Sequence, residues 1–155
     1  MHPRGHGLQR SLSVKRRIAL IIEEYLLTVA KAVATRSKCR TKVGCVIADK
    51  NGRILSCGYN GHASGMKNCS SDTCTNPPGI SGECGAIHSE VNALIWLKQP
   101  EDAYYVAVTK LPCHTCASAL LNIPGKVLIY DESCSYSESL NLLRSKYELR
   151  QITLP

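Results

Sequence analysis

Apolar side chains recur at helical spacing near the start of the chain, and two short runs rich in β-branched residues follow them. The apolar stripe predicts a helix over roughly residues 14–36. Val43–Ala48 and Arg53–Tyr59 read as strands, and Asp49–Gly52 between them is a turn signal. We therefore expect the two runs to form a β-hairpin.

Helical and strand patterns alternate in the second half of the chain, after an irregular Gly- and Pro-containing segment at residues 60–87. The order α-β-β-α-β-α-β-α-β predicts an α/β fold with one mixed, five-stranded sheet and helices on its faces. The patterns predict helices at 88–98, 113–122 and 137–146, and strands at 103–108, 126–130 and 148–153.

Composition narrows the class of protein. The 155 residues are 44% hydrophobic and 20% charged, which favours a packed core over disorder. The net charge of +7 is uneven, because residues 1–42 hold ten of the 19 basic residues and two of the 12 acidic ones. We expect a flexible basic tail at residues 1–13 and a single domain over residues 14–155. The near-neutral remainder argues against a nucleic-acid partner.

The cysteines and the hydropathy pattern bear on location. No apolar stretch is long enough to span a membrane, so we expect no membrane association and a cytoplasmic protein, in a host cell if the source is viral. Nine cysteines in a chain with no convincing secretion signal favour thiols and metal ligands over disulfides.

Two short motifs carry the candidate chemistry. H-S-E at 88–90 opens one predicted helix, and P-C-H-T-C at 112–116 opens the next. Each motif alone has a plainer explanation, since C-x-x-C also occurs in redox and structural zinc sites and H-x-E occurs by chance. Together they form the known signature of zinc deaminases. His88, Cys113 and Cys116 would hold a catalytic zinc and leave a fourth tetrahedral position for water.

Glu90 lies two residues after His88 and is not needed as a ligand. Zinc in such a site lowers the pKa of its bound water toward neutrality and so generates hydroxide. We expect this hydroxide to attack an amidine carbon that carries an exocyclic amine. Glu90 would move a proton from the water to the ring nitrogen and then to the leaving ammonia.

Longer segments around these motifs are also distinctive. The chain has S-x-C-x-x-x-V-G-x-V-I at 37–47, G-Y-N-G at 58–61 and I-H-S-E-V-N-A at 87–93. These segments resemble the deoxycytidylate (dCMP) deaminases, in particular their microbial and phage-like branch, whose third motif has alanine where this chain has Ser89. The resemblance extends from residue 18 to about residue 136. It implies a cytidine-deaminase-like, three-layer α/β/α sandwich that converts dCMP to dUMP and ammonia.

The resemblance also implies contacts to the substrate. Asn60 would hydrogen-bond the sugar, and Tyr136 corresponds loosely to a tyrosine after the fourth strand. The phosphate needs donors, and charge and position alone nominate four residues. These are Arg40, Lys42, Lys67 and Lys110.

A second metal site and an assembly follow from the same resemblance. In the microbial and phage-like branch, four cysteines hold a structural zinc, which here would organise the irregular segment at residues 60–87. The cysteines of this chain that match those four positions are Cys39, Cys69, Cys74 and Cys84.

Many family members are hexamers that dCTP activates and dTTP inhibits. We therefore expect a homo-oligomer, with dCTP and dTTP as candidate effectors.

Two alternatives stay open at the level of sequence. The same chemistry would serve another cytosine nucleoside or nucleotide, or a base in a polynucleotide. A non-catalytic, zinc-stabilised nucleic-acid-binding module is the other alternative, although such a module has no need of Glu90.

The remaining candidate residues have structural interpretations. We expect Cys45 and Cys57 to be buried in strands and Trp96 to lie in the core. His114 should face solvent, and Cys134 has no assigned role.

Overall fold

A five-stranded sheet runs through the part of the chain that the computed structural model describes, which is residues 20–68, 74–75, 84–132 and 137–154. No helix in these residues is long and apolar enough to cross a membrane. A short 3₁₀ turn occupies Pro100–Asp102. The helices are α1 (Ile22–Ala34), α2 (Ser89–Ile95), α3 (His114–Leu120) and α4 (Ser137–Arg144), and the strands are β1 (Gly44–Ala48), β2 (Ile54–Tyr59), β3 (Tyr105–Lys110), β4 (Val127–Glu132) and β5 (Glu148–Gln151).

The strand order is β2-β1-β3-β4-β5. β1 pairs antiparallel with β2 and with β3, whereas β3, β4 and β5 run parallel. The predicted hairpin is confirmed, and its turn is held by the Asp49 side chain, whose Oδ1 accepts hydrogen bonds from the backbone N–H groups of Asn51 (2.8 Å) and Arg53 (3.0 Å). Gly52 has φ +79°, a conformation that favours glycine.

Helices cover both faces of the sheet, as the α/β/α prediction requires. Alternate side chains of a strand point to opposite faces, and in β1 Val46 packs toward α1 while Cys45 and Ile47 face the opposite core. The core on the α1 side is completed by Leu26 and Leu27. The opposite core contains side chains of α2, α3 and α4, namely Ala93, Ala117, Leu120 and Leu143. The three-layer architecture is therefore confirmed.

Two glycines allow helices to lie close against the sheet. A Cβ on Gly44 would overlap the carbonyl oxygen of Ala30 in α1. A Cβ on Gly58 would lie 2.9 Å from the carbonyl carbon of Asn92, and closer still to backbone atoms of Ser89 and Ala93, so α2 packs directly on the backbone of β2. The depth at which α2 sits in the molecule is thus set by a glycine of the G-Y-N-G motif.

The first helix is shorter than its apolar stripe predicted. Residues 20 and 21 lie outside it, and Ile21 is the residue before its first turn. Glu23 and Glu24 in the first turn favour a helix start at this point, because carboxylates stabilise the positive end of the helix dipole.

The prediction that Trp96 lies in the core is wrong, since its side chain is 68% exposed. α2 ends at Ile95 rather than at residue 98, and Pro100 follows, which disfavours helical geometry in the residue before it. The buried positions of α2 are Ser89, Glu90 and Ala93, whereas Ile95 and Trp96 at its end are exposed.

The prediction for Cys57 is also wrong, whereas that for Cys45 is confirmed. Cys57 is exposed and Cys45 is buried. Cys57 pairs with Val46 and so points to the α1 side of the sheet. β2 is the edge strand there, and α1 packs mainly over β1 and β3.

Candidate active site

Three predicted ligands come from the starts of two neighbouring helices. His88 is the residue before the first turn of α2, and Cys113 holds the same position in α3. Cys116 follows one turn later and is buried. The segment that leads into His88 is held by Ile87, whose backbone N–H and C=O both pair with Gly61, at 2.8 and 3.0 Å. Helix N-termini favour thiolates because their unpaired N–H groups carry partial positive charge.

The three side chains fit a zinc ion. The Sγ atoms of Cys113 and Cys116 lie 3.5 and 3.4 Å from Nδ1 of His88, and all three donor atoms lie within 4.8 Å of one another. Tetrahedral bonds of about 2.0 Å to nitrogen and 2.3 Å to sulfur would separate N and S by about 3.5 Å. The observed N–S distances match this value. In the described residues, this is the one group of three or more such side chains with metal-binding geometry.

Without a bound metal, the pKa values of the three side chains are shifted in different directions. Hydrogen bonds from Cys116 and from His88 lower the pKa of the Cys113 thiol to about 3. The neighbouring thiolate in turn raises the pKa of Cys116, and the hydrogen bond to Cys113 raises the pKa of His88. The thiolate form of Cys113 is therefore favoured, whereas the raised pKa values of Cys116 and His88 make protons stronger competitors of a metal at those two groups.

Glu90 lies in the first turn of α2 and is only 4% exposed. Burial raises the pKa of its carboxyl above the ordinary value, against the opposing attraction of His88 and a hydrogen bond from Ser89. A carboxyl whose pKa moves toward neutrality can both accept and donate a proton near pH 7. The first turn of α2 thus carries an acid–base group next to the trio.

Asn60 is buried, and its side chain already binds backbone. Its Oδ1 accepts a hydrogen bond from the N–H of Val43 (2.8 Å), and its Nδ2 donates to the carbonyl of Thr41 (2.8 Å). Its own carbonyl accepts a hydrogen bond from the Ser37 hydroxyl, at 2.8 Å. Among the described residues no further partner takes the second N–H and the second lone pair of this amide.

An open, basic cleft of about 1450 Å³ adjoins Asn60. It lies between the end of α1, the edge strand β2, and the loop after Asn60, and it includes Tyr59 and Trp96. No acidic side chain is among the described residues that line it. The metal-binding trio is not part of the lining either. The cations in the lining are Arg36, Lys38, Arg40, Lys42 and Lys67.

The chain matches a family model over residues 21–131, namely the cytidine and deoxycytidylate deaminase zinc-binding region. The match includes both helix starts that carry the trio. The chain belongs to this family. The protein is therefore a hydrolytic deaminase of a zinc-binding family, and the trio is a group of described side chains that could hold the metal.

Individual relatives agree with this membership. A deoxycytidylate deaminase of Mycobacterium phage D29 is 38% identical over 112 residues, which cover 63% of this chain and 84% of the relative. A deoxycytidylate deaminase of Enterobacteria phage T2 is 31% identical over 148 residues, covering 70% of this chain and 78% of the relative.

A solved structure shares the fold. The dCMP deaminase from cyanophage S-TIM5, in complex with dCMP and dUMP, superimposes with a TM-score of 0.70 at 27% identity. The alignment covers 84% of this chain and 96% of the phage protein.

Some of the residues predicted to bind the substrate lie together in the structure, and others do not. Lys42, Arg40 and Lys67 line the basic cleft with Asn60, whereas Lys110 lies at the end of β3, outside the lining. Tyr136 lies outside the described residues. His114 is exposed, as predicted.

The four cysteines of the predicted structural zinc site are only partly described. Cys39 is buried, with its Sγ 3.8 Å from the carbonyl oxygen of Asn60, and Cys74 and Cys84 are half-buried. The described cysteines of this set do not form a metal-binding group of three. Cys69 and Cys134 lie outside the described residues.

Sequence reasoning did not assign roles to two serines that contact site residues. Ser37 is buried and binds the Asn60 carbonyl, and its Oγ also accepts the N–H of Cys39 at 3.1 Å. Ser89 is buried beside Glu90. Their positions inside the sequence motifs could have indicated these contacts, because a serine hydroxyl that is buried with a motif needs a hydrogen-bond partner.

Proposed function

We propose that this protein deaminates dCMP by hydrolysis and releases dUMP and ammonia. The observation that carries the proposal is the buried Glu90 carboxyl beside an imidazole–dithiolate trio of zinc-binding geometry. Support for the substrate comes from the D29 and T2 relatives, which are deoxycytidylate deaminases, and from the S-TIM5 enzyme, which is a dCMP deaminase seen with dCMP and dUMP.

His88, Cys113 and Cys116 would hold the catalytic zinc, which supplies the Lewis acidity that makes a water molecule nucleophilic near neutral pH. Glu90 moves the protons. Its carboxylate takes one proton from water and gives it to N3 of cytosine as the water oxygen bonds to C4. It then takes the second proton and delivers it to the amine, which leaves as ammonia. Both water protons are thereby accounted for, one on N3 of uracil and one on ammonia.

Burial of Glu90 suits both steps. A solvent-exposed carboxylate would be a weak base and would pass its proton to bulk water. Glu90 is buried in the first turn of α2, and burial raises its pKa toward the pH at which the carboxyl must accept and release protons.

We propose that Asn60 contacts the sugar and that Lys42 and its neighbouring cleft cations hold the 5′-phosphate. The support for Asn60 is its unused N–H and lone pair at the edge of the cleft. The support for Lys42 is the cluster of five cations in a lining whose described residues include no acid, since phosphate is bound by charge-assisted hydrogen bonds. Tyr136 stays a candidate contact from the sequence.

The assay compares dCMP, deoxycytidine and a cytosine-containing oligonucleotide at equal concentrations. We expect turnover of dCMP far above that of the other two. Replacing Glu90 by Gln, which keeps the shape but cannot shuttle a proton, should lower kcat about 10²- to 10⁴-fold. Glu101→Gln, at an exposed acid in the 3₁₀ turn, is the matched control. Activity on the oligonucleotide without activity on dCMP would overturn the proposal.

We also propose a second, structural zinc on Cys39, Cys69, Cys74 and Cys84. Support comes from the burial of Cys39 at the rim of the irregular segment that contains the other three. Cys74→Ser should lower zinc content from about two ions per chain toward about one. Cys57→Ser, at an exposed cysteine outside this set, is the control. Unchanged zinc content in Cys74→Ser would contradict the assignment.

Assembly and regulation complete the proposal. We propose that the protein is a homo-oligomer, a hexamer by family resemblance, and that dCTP and dTTP regulate its activity. For the chain itself we propose a basic tail at residues 1–13 followed by one domain over residues 14–155. Mass by light scattering tests the assembly, and dCMP turnover with added dCTP or dTTP tests the regulation.

A further inference from the structure

The residue between His88 and Glu90 makes a contact that the proposed function leaves unexplained. Ser89 is fully buried, and its hydroxyl lies 3.0 Å from Oε2 of Glu90. Both residues belong to the first turn of α2. A serine in a helix usually bonds back to a nearby backbone carbonyl, but here the hydroxyl donates to the side chain of its neighbour.

The contact is directional. An ionised carboxylate has no proton to give, so the Ser89 hydroxyl must donate and Oε2 must accept. If a proton settled on Oε2, this bond would be lost or the hydroxyl would have to rotate and accept. If the proton settles on Oε1, Oε2 remains an acceptor and the bond survives. The hydroxyl therefore distinguishes two oxygens that are otherwise equivalent.

We propose that Ser89 is a positioning residue that fixes Glu90 through Oε2 and so confines the shuttled proton to Oε1. This inference rests on the proposed role of Glu90 in deamination. In each transfer an O–H bond of water breaks and an Oε1–H bond forms, and that bond then breaks as the proton passes to N3 or to the amine. Ser89 keeps its own proton throughout and touches no reacting atom.

The alternative is a purely structural role, in which Glu90 only gives the buried Ser89 hydroxyl a hydrogen-bond partner. The two roles differ in what they predict. Loss of a structural contact would lower stability and leave the chemical step alone. Loss of a positioning contact would let the three rotatable bonds of Glu90 sample other rotamers, and kcat would fall while the binding of dCMP stayed the same.

The test compares Ser89→Ala with Ser56→Ala. Alanine is smaller than serine and is the residue of the resembled motif, so this variant should fold. Ser56 is the matched control, because it is also buried and its hydroxyl donates to the Ala93 carbonyl of the same helix, at 2.6 Å, without contacting Glu90. Zinc content and thermal unfolding are measured for both variants, together with kcat and KM for dCMP.

We expect Ser89→Ala to lower kcat about tenfold with KM within about twofold of the wild type, and Ser56→Ala to leave kcat unchanged. Crystal structures should show one Glu90 rotamer in the wild type and more than one in Ser89→Ala. An unchanged kcat in Ser89→Ala, an equal loss in Ser56→Ala, or a single Glu90 rotamer in both structures would overturn the inference. A wild-type protein that does not turn over dCMP would instead refute the proposed function, and the rotamer comparison would still be informative.

Discussion

Replacing Gly58 by alanine should disturb the proposed zinc site without changing any of its three candidate ligands. The new Cβ would lie 2.9 Å from the carbonyl carbon of Asn92, and closer to Ser89 and Ala93 backbone atoms. Ordinary contact begins at 3.4 Å, so α2 would have to move outward by at least 0.5 Å, and by more to clear the two closer atoms. The obstacle is backbone, which cannot rotate aside as a side chain can.

This movement separates the two halves of the site. His88 and Glu90 travel with α2, while Cys113 and Cys116 are held by α3. A misplacement approaching 1 Å at a reacting group can cost about 10²-fold in rate. Overpacking of this kind costs about 1–3 kcal/mol of stability. In a domain of this size that is a fall in Tm of about 3 to 9 °C.

The assay measures zinc per chain by atomic spectroscopy, Tm by thermal unfolding and dCMP turnover. Gly61→Ala is the control for zinc and Tm, because its Cβ would have only an ordinary contact, 3.9 Å from Oδ1 of Asn68. We expect Gly58→Ala to lose zinc, Tm and activity together and Gly61→Ala to keep zinc and Tm. A Gly58→Ala protein with wild-type zinc content, Tm and turnover would show that the close approach of α2 to β2 does not set the site.

Three further predictions concern other parts of the molecule. Tyr147→Phe should lower the free energy of unfolding by about 1 kcal/mol or more, as measured by urea denaturation, because the buried hydroxyl donates to the Leu120 carbonyl at the end of α3 (2.7 Å); an unchanged free energy would contradict it. Zinc affinity should fall as pH falls, because protons compete with the metal for His88 and for Cys116, whose pKa values are both raised, while Cys113, with a pKa of about 3, stays a thiolate; competition with a chelator between pH 5 and 8 checks this, and a flat profile would count against it. Trp96→Ala should change Tm by less than about 2 °C, because the side chain is 68% exposed; a large loss would indicate that another chain covers it.

The two short motifs together were enough to predict which three side chains come together as a candidate metal-binding group. His88 lies at the start of one helical pattern, and Cys113 and Cys116 are one helical turn apart at the start of another. The β-branched run in β1 and the turn residues after it likewise predicted a hairpin, since strand propensity and turn geometry involve only neighbouring residues. These features do not depend on what else packs nearby.

The burial of side chains in the edge strand β2 and at the end of α2 could not be predicted from local patterns. Cys57 and Trp96 both belong to apolar patterns, yet both are exposed, because β2 is an edge strand and α2 ends before its pattern does. Whether an apolar residue is covered depends on elements that are distant in sequence. No local pattern carries that information.

The sequence by itself determined the alternation of helices and strands that makes a mixed sheet, and it supplied the candidate zinc ligands and the acid on which the proposed chemistry rests. Only the tertiary structure decided how those groups are arranged. It brought the two helix starts together with N–S distances of 3.4 and 3.5 Å, turned the Asn60 amide onto the backbone of Thr41 and Val43, and buried Ser89 against Glu90. The physical reason is that residue type and spacing are local properties, whereas distance, burial and hydrogen-bond partners arise from packing between segments far apart in the chain.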